Sequence, residues 1–428
     1  MLIMSKRNLN FIDLFAGAGG LSEGFVKAGF LPIVHVEMNH DAVETLKTRE
    51  VFHYCDKNNL VCQYNSYLEG KIPKEDVRKL VPGILLERVI EKEMSEDCLD
   101  ELFSKIDSLI KRQNIHKGVD VVIGGPPCQA YSLIGRPTNK DKEGDKRLYL
   151  YRIYAKFLQR YQPKMFVFEN VPGILSCTSD GHSHFEDIRK CLTDIGYEIE
   201  HKILCAKDYG VLQNRRRVIL IGWKKGSNLH YPEIEKKKYG AIVNDLLMDL
   251  PPVMPGESNN SYLEGSYSSY LESASIRRPS DILTWHLARP NRELDRNIYR
   301  CVINLWNSNH QRLNYNDLPN NLKTHKNRSS FTDRFKVVPA DLDSCQTVMA
   351  HISKDGHYFI HPDLNQARSL TVREAARIQS FPDSFFFEGS RTSAFIQIGN
   401  AVPPLLAEAI AKGIKNILYA GPKEKSGE

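Results

Sequence analysis

The sequence predicts an α/β protein built on a mostly parallel sheet, with a second, smaller domain inserted late in the chain. Short apolar or β-branched runs alternate with helical patterns in the first half, an order typical of a parallel sheet covered by helices. The predicted strands are 10–15, 33–36, 119–123, 165–168 and 218–221. The predicted helices are 21–28, 151–161, 185–195, 370–379 and 404–418.

A change of composition near residue 225 predicts the domain organisation. Residues 225–365 are rich in Asn, Ser, Pro, Tyr and basic side chains and have weak periodicity, which indicates a separate domain. We therefore expect a first domain formed by 1–224 and 366–420, a second formed by 225–365, and a flexible tail at 421–428. The charged segment 50–117 is predicted to be a helical insertion between early strands.

Composition limits the class of protein. The chain has 428 residues, of which 41% are hydrophobic and 26% charged, as in ordinary globular proteins. A net charge of +6 permits a polyanionic partner without establishing one. The nine cysteines form no Cys-x-x-Cys pair, so we expect neither a zinc site nor a disulfide framework. No signal-peptide run or bilayer-length apolar stretch is found, which favours a reduced, cytoplasmic enzyme without membrane contact.

The first candidate site is a glycine turn. Residues 11–21, FIDLFAGAGGL, have the pattern of a strand, a turn and a helix, and Gly17, Gly19 and Gly20 permit close approach of a ligand to the backbone. Glu37 ends the next predicted strand, where a carboxylate can accept hydrogen bonds from a ribose diol. The pattern favours an adenosine-containing cofactor without separating NAD from S-adenosylmethionine. A tight turn without a ligand is the alternative for the glycines alone.

The second candidate site is a cysteine on a stiff turn. Residues 119–132, VDVVIGGPPCQAYS, are a buried strand followed by Gly-Gly-Pro-Pro, so Cys128 lies just beyond the carboxyl end of a strand. Ligands of open α/β sheets bind at that edge, and a catalytic cysteine acts there as a thiolate. We interpret Cys128 as a nucleophile, with a buried structural cysteine as the alternative. The polar segment 133–147 that follows is equally consistent with a lid and with an ordinary surface loop.

Further segments, taken in order, carry a family resemblance. Glu-Asn-Val at 169–171 follows a strand, Gln-Asn-Arg-Arg-Arg at 213–217 opens another, and Gln-Ile-Gly-Asn-Ala-Val at 397–402 precedes the last helix. With the glycine turn, the Pro-Pro-Cys segment and the helix at 370–379, they resemble the ordered motifs of bacterial restriction-modification DNA (cytosine-5)-methyltransferases. The resemblance implies a Rossmann-like, S-adenosylmethionine-dependent methyltransferase fold.

The resemblance also implies roles for the catalytic residues. Cys128 would attack C6 of a cytosine flipped out of the duplex, which makes C5 enamine-like and able to accept a methyl group. Glu169 would hold N3 and the exocyclic amine as a general acid, a task that calls for a raised pKa. Arg217 would contact the base carbonyl oxygen. Arg215 would brace Glu169 or a phosphate, and Gln213 would support the turn.

S-adenosylmethionine is the cofactor that the resemblance implies. The residues at the family's cofactor positions are Phe15, Gly17, Gly19, Glu37, Met38, Pro127 and Asn400. Met38 stands where the family often has an aromatic residue beside the adenine, so weaker stacking is expected. The family's acidic residue that contacts adenine is left unassigned because of the insertion at 50–117.

Residues 225–365 correspond by resemblance to the family's variable target-recognition domain. Basic and aromatic side chains there suit phosphates and base edges, although no single base-reading residue is identified. The implied partners are double-stranded DNA and, functionally, a cognate restriction endonuclease, and the protein is expected to be a monomer. Segment 350–362 contains an Asp-Gly pair and is predicted to be a hairpin, with its histidines in packing or phosphate contacts.

Three other functions are alternatives. A nicotinamide-dependent oxidoreductase would use the same glycine turn, but Cys128 with Glu169 argues against it. A tRNA cytosine-5 methyltransferase would use the same catalytic motifs, but the large variable region and the lack of a Cys-Phe-Thr segment favour DNA. A catalytically silent DNA-binding protein is disfavoured because Cys128, Glu169 and Arg217 are all present.

Overall fold

The structure is a computed structural model that describes residues 8–127, 149–179, 182–265, 267–323 and 325–420. The strands are, in chain order, β1 (Asn10–Leu14), β2 (Leu31–Glu37), β3 (Val89–Glu91), β4 (Val121–Gly124), β5 (Met165–Asn170), β6 (Thr178–Ser179), β7 (His182–Ser183), β8 (Tyr197–Cys205) and β9 (Arg216–Lys224). The two-residue strands β6 and β7 form a separate small ribbon.

Helices lie between and after these strands. They are α1 (Gly20–Lys27), α2 (His40–Lys57), α3 (Val61–Leu68), α4 (Lys74–Lys79), α5 (Gly83–Glu87), α6 (Leu99–Arg112), α7 (Leu150–Tyr161), α8 (His184–Asp194), α9 (Ser269–Ser273), α10 (Glu293–Asn309), α11 (Val372–Ile378), α12 (Arg391–Asn400) and α13 (Pro404–Ala420). The predicted insertion at 50–117 is confirmed as mainly helical.

The main sheet is mixed but mostly parallel, as predicted. Within the described residues it has seven strands in the order β3-β2-β1-β4-β5-β9-β8. The first five are parallel to one another, while β9 runs antiparallel to both β5 and β8. The carboxyl ends of β1, β2, β4 and β5 therefore meet the beginning of β9 at one edge, called here the active edge. The sequence analysis had not predicted β3 or β8.

Helices cover both faces of the sheet, and one packing contact brings the C-terminal segment to the active edge. Helix α1 packs on α13 along two glycines, since a Cβ at Gly20 would collide with the carbonyl oxygen of Val402 and one at Gly24 with the backbone of Glu408. Backbones can approach this closely only where no side chain intervenes. Residues after 390 consequently lie beside the glycine turn, although they are far from it in sequence.

The predicted second domain does not have a wholly separate core. Val243, Tyr270 and Val348 belong to the same hydrophobic cluster as β1 and α13. A distinct cluster forms around α10, and its buried members include Tyr315 and Phe335. The division at 225–365 stays a prediction. Within its described residues, a separate hydrophobic cluster is found only around α10, in a part called here the α10 lobe (residues 293–337).

Segment 350–362 is not a hairpin, and that prediction was wrong. Ala350–Ser353 form a 3-10 turn, and Ile360 makes isolated bridges to Val337 and Ser369. The turn packs on α12 at Gly399, where a Cβ would collide with the backbone of Ala350. This long-range contact outweighs the local turn preference of the Asp-Gly pair.

Two further observations concern metals and membranes. Across the described residues, no group of three or more His, Cys, Asp or Glu side chains is placed to hold a metal ion. Within those same residues, the helical stretch Arg391–Ala420 is long and apolar enough to cross a membrane, contrary to the sequence-based expectation. However, 72% of its most apolar window is buried inside the protein, as expected of core helices.

Candidate active site

The glycine turn is held by the carboxylate of Glu37. Phe15, Gly17 and Gly19 have φ values of 56°, 55° and 85°, so the backbone after β1 is left-handed at alternate residues. The N–H of Gly17 donates to Glu37 Oε2 at 2.8 Å, and the N–H of Asn39 donates to Oε1 at 2.8 Å. Glu37 thereby ties the carboxyl ends of β1 and β2 together.

The space beside this turn suits an adenosine-containing cofactor. A Cβ at Gly17 would meet no atom within 4 Å, so the turn faces open space. A carboxylate offers about four acceptor positions, and Glu37 uses two on backbone N–H groups, which leaves capacity for a ribose diol. Met38, 57% exposed, follows it directly. Pro127 lies half-buried after β4, and Asn400 is exposed at the end of α12.

Glu169 lies at the active edge as predicted, near the end of β5. Its side chain is buried, and Arg217 Nε lies 2.6 Å from its Oε1. A Cβ at Gly125 would stand 2.6 Å from Glu169 Oε2, so a glycine is required beneath the carboxylate. Burial raises the pKa of Glu169 above its ordinary value, although the charges of Arg217 and Arg215 act in the opposite direction.

A carboxyl group with a raised pKa has a specific chemical use. In its protonated form it donates one hydrogen bond and accepts others. This matches a ligand ring in which an acceptor nitrogen lies beside an amine. Arg217 adds donors at the same place, and its side chain is only 8% exposed. Glu169 and Arg217 together can hold one edge of a polar ring and protonate it.

Arg215 has a different position from the one predicted. Its guanidinium donates to the carbonyl oxygens of Val348, Gly399 and Ala401 at 2.6, 2.9 and 2.9 Å. The side chain is 1% exposed, which does not suit a phosphate contact. Its positive charge opposes the rise in the pKa of Glu169 that burial causes. Arg215 therefore acts on that carboxylate electrostatically, while its hydrogen bonds fix the C-terminal segment.

Gln213 supports the same junction and is fully buried. Its Oε1 accepts from the N–H of Val348 at 2.8 Å, and its Nε2 donates to Gln379 Oε1 at 3.0 Å. Gln379 in turn donates to the carbonyl oxygen of Ile398 at 2.7 Å. The segment before β9, α11 and α12 are thus joined by one chain of hydrogen bonds.

The sequence analysis did not assign a role to Asn170. Its Nδ2 donates to the carbonyl oxygen of Pro126 at 3.2 Å, and its Oδ1 accepts from the N–H of Val171 at 2.9 Å. It therefore connects β5 to the turn that precedes Cys128. Its place directly after Glu169 was the available signal. Three features predicted from the sequence lie outside the described residues: Cys128, the segment 133–147 and the tail 421–428.

The chain is similar to several known proteins. The family model described as C-5 cytosine-specific DNA methylase matches residues 9–83 and 97–416. The chain is 40% identical to a Type II methyltransferase of Bacillus paralicheniformis, covering 95% of this chain and 98% of the relative. It is 32% identical to one of Desulfomicrobium norvegicum, covering 95% and 88%. A crystal structure described as a prophage-encoded DNA modification methyltransferase (E. coli) has the same fold, with a TM-score of 0.63 at 23% identity, covering 96% of this chain and 100% of that chain.

Proposed function

The chain belongs to the C-5 cytosine-specific DNA methylase family and is a DNA (cytosine-5)-methyltransferase, and from this premise we propose how its residues divide the reaction. Cys128 is the nucleophile, Glu169 the general acid and Arg217 the contact to the base carbonyl oxygen. The substrate is a cytosine flipped out of double-stranded DNA, since no protein group reaches C6 inside the stack. The observation that carries the proposal is the buried Glu169 carboxyl, with its raised pKa, against Arg217 at the active edge.

The proposed reaction begins with the Cys128 thiolate, which forms a bond to C6. The electrons of the C5–C6 double bond move into the ring as Glu169 gives its proton to N3, so C5 becomes nucleophilic. S-adenosylmethionine, when bound, supplies the methyl group. Water or another base then takes the C5 proton, the thiolate of Cys128 leaves C6, and N3 returns its proton to Glu169, which restores the aromatic ring and the enzyme. Glu169 is well suited to the first proton transfer because its burial favours the protonated form.

We propose that S-adenosylmethionine binds along the glycine turn. Glu37 would accept hydrogen bonds from the ribose, and Gly17 with Gly19 would let the backbone approach closely. The exposed Met38 would lie beside the adenine, and Asn400 near the methionine end. The remaining contacts in this proposal come from Phe15 and Pro127.

The biological role that we propose is protection of DNA from a cognate restriction endonuclease in the cytoplasm, by a monomeric enzyme. Its support is the series of Type II methyltransferases among the relatives, which match nearly the whole chain. The endonuclease is a functional partner, and no physical contact with it is implied.

The test is bisulfite sequencing of plasmid DNA from cells that express the protein. We expect one recurring sequence context with methylated cytosines for the wild type and none for Cys128→Ser. The wild-type result also identifies the recognition sequence. Unmethylated plasmid from cells that contain folded wild-type protein would refute the DNA substrate. Methylated tRNA from the same cells would then point to the RNA-directed alternative.

A further inference from the structure

The most exposed large hydrophobic side chain among the described residues is Phe331, at 64% exposure. It also has a φ of 54°, a left-handed backbone conformation that a bulky residue rarely adopts. A left-handed backbone at a bulky residue costs free energy, and strain of this kind concentrates at functional sites. Nothing in the proposed catalytic machinery uses this residue.

Phe331 lies on a loop that its own hydrogen bonds hold in shape. Asn327 Oδ1 accepts from the N–H groups of Ser329 and Ser330, both at 3.1 Å. Arg334 closes the loop, because its guanidinium donates to the carbonyl oxygens of Asn327, Ser330 and Phe331 at 2.9, 3.1 and 2.9 Å. The ring of Phe331 is therefore presented to solvent by a fixed backbone.

The loop is anchored to the core of the α10 lobe. The N–H of Tyr315 donates to the carbonyl oxygen of Thr332 at 2.6 Å, and its hydroxyl accepts from the N–H of His325 at 2.7 Å. Tyr315 is buried and stacks on Phe335, with ring centroids 6.0 Å apart. Both ends of the loop are thus attached to a packed aromatic pair, which limits how far Phe331 can retreat.

Two exposed cations precede Phe331 on its loop. Lys326 and Arg328 lie on the same loop, and within the described parts of the chain neither makes an ion pair. Arg334, by contrast, is used inside the loop, and Lys336 pairs with Asp333 at 2.5 Å. An exposed aromatic ring on the same loop as two exposed cations matches the base faces and phosphates of a nucleic acid.

The α10 lobe is connected to the active edge by backbone pairing. The N–H of Lys336 donates to the carbonyl oxygen of His357 at 2.8 Å, and Val337 bridges Ile360. Further along the chain, Cys345 bridges Gln213, directly before β9. The lobe that carries Phe331 is therefore joined, through paired backbone segments, to the residues that enter β9 at the active edge.

We propose that Phe331 inserts between or stacks on bases of the DNA substrate, with Lys326 and Arg328 on the flanking phosphates. This inference rests on the proposed function and adds a residue that determines DNA affinity and sequence choice. Apolar wedges of this kind unstack a base step and distort the duplex, which is useful to an enzyme that must extrude a base.

The test compares variants of the full-length protein on a duplex that carries the recognition sequence found by bisulfite sequencing. Phe331→Ala should raise the Kd and the KM for DNA on the order of tenfold, because stacking of one base is lost. The KM for S-adenosylmethionine and the melting temperature should stay unchanged. Phe331→Trp should restore DNA binding, since the larger ring stacks equally well. Leu31→Ala is the matched control, because Leu31 is 50% exposed at the opposite edge of the sheet.

Salt dependence separates the ring from the cations. Replacing Lys326 and Arg328 by alanine should reduce the slope of log Kd against log salt by about 0.9 per lost phosphate contact. Phe331→Ala should leave that slope unchanged. Wild-type DNA affinity in Phe331→Ala, or an equal loss of cofactor affinity, would overturn the proposal while the methyltransferase function stands. A wild type that methylates no DNA would instead overturn the proposed function, and this inference with it.

Discussion

Two buried ion pairs in this molecule have opposite effects on their carboxylates. Glu169 pairs with Arg217 at the active edge, and Glu374 of α11 pairs with Arg368 in the core. All four residues are at most 9% exposed. The pKa of Glu169 is nevertheless raised, while the pKa of Glu374 is held well below its ordinary value.

The charges next to Glu374, first Arg368 and then His361, together with its direct hydrogen bonds, explain why its pKa is lowered. Both oxygens of Glu374 accept from Arg368, at 2.8 and 2.7 Å, and Oε2 also accepts from the N–H of Thr371 at 2.7 Å. Glu169 faces the single Nε of Arg217 on one oxygen and Gly125 on the other. Burial disfavours the charged form at both sites, but only at Glu374 do the neighbouring charges and hydrogen-bond donors outweigh it. A carboxylate with many donors stabilises the fold, and one with few remains available for proton transfer.

The structural role of α11 extends to its other arginines. Arg373 donates to the carbonyl oxygen of Thr284 at 3.0 Å, and Arg377 pairs with both Asp383 and Asp249. These contacts hold the beginning of the predicted second domain against the sheet. The late helix therefore contributes to the fold of the family more than to its chemistry.

The largest effect is expected on kcat when the Glu169 carboxyl is removed. Glu169→Gln should lower kcat by about 10²–10⁴-fold, the usual contribution of a general acid, because the amide cannot give up a proton to N3. Steady-state methyl transfer to plasmid DNA measures it. The melting temperature should fall less than in Glu374→Gln, since burial outweighs the charge of Arg217 at Glu169 and this pair contributes less to stability. An active Glu169→Gln would remove the general acid from the mechanism.

The matching change at Glu374 should affect stability instead. Glu374→Gln leaves Arg368 without its charged partner, and breaking a buried pair on one side costs about 3–5 kcal/mol of unfolding free energy. Urea denaturation measures it, with the exposed Glu235→Gln as control. A melting curve like that of the wild type would show that the two buried pairs do not differ as argued.

Gly125 offers a smaller test of the catalytic pair. Gly125→Ala places a Cβ 2.6 Å from Glu169 Oε2, so the carboxylate must move. Small displacements of a catalytic group can cost up to about 10²-fold in rate, and we expect kcat to fall more than the melting temperature. Cofactor binding, measured by calorimetry, should be retained. Equal kcat in this variant and the wild type would mean that the position of Glu169 tolerates displacement.

Activity that depends on protonated Glu169 should fall as pH rises, whereas the stability contributed by ionised Glu374 should fall as pH drops. Because the pKa of Glu169 is raised, the fraction of protonated Glu169 falls as pH rises through that value, and kcat/KM should fall with it. Methyl transfer across a pH series that rises from the ordinary value of 4.5 measures this limb, which should be missing in Glu169→Gln. A limb of the same size in that variant would assign it to another group.

The smallest effect is the acid dependence of stability at Glu374. Its folded-state pKa lies below the ordinary value of 4.5, so its contribution is fully present above 4.5 and is lost as pH falls below that value. The stability difference between wild type and Glu374→Gln should therefore shrink in acid. Urea midpoints from pH 7 down to pH 3 measure it, and a constant difference would contradict the lowered pKa.

Local patterns were enough to predict the sheet and the residues at its edge. Glu37 and Glu169 lie where strand-end reasoning predicted them, because hydrophobic runs mark parallel strands and their ends carry polar side chains. Two of the seven described strands of the main sheet were missed, β3 because it has only three residues and β8 because much of it is exposed. Helix α10 has a buried apolar face over 17 residues but lies in a segment that was interpreted from its composition, and α12 was not predicted either. Asn170 and the clamp of Arg215 depend on contacts between distant segments, which no local pattern encodes.

The hairpin predicted at 350–362 failed for the same physical reason. The Asp-Gly pair favours a turn locally, but the close packing of Ala350 on Gly399 selects a 3-10 turn instead. Likewise, the first part of 225–365 has the composition of a separate domain, yet Val243 and Tyr270 are buried in the hydrophobic cluster that includes β1 and α13. Tertiary contacts decided both cases.

The division of labour between Cys128 and Glu169 is tested most directly by trapping the adduct. A duplex with 5-fluorocytosine at the target position retains the covalent intermediate, because fluorine at C5 cannot leave as a proton does. With S-adenosylmethionine present, we predict a denaturation-resistant protein–DNA complex for the wild type, slow formation for Glu169→Gln and none for Cys128→Ser. A complex formed by Cys128→Ser, or equal rates for the wild type and Glu169→Gln, would contradict the mechanism.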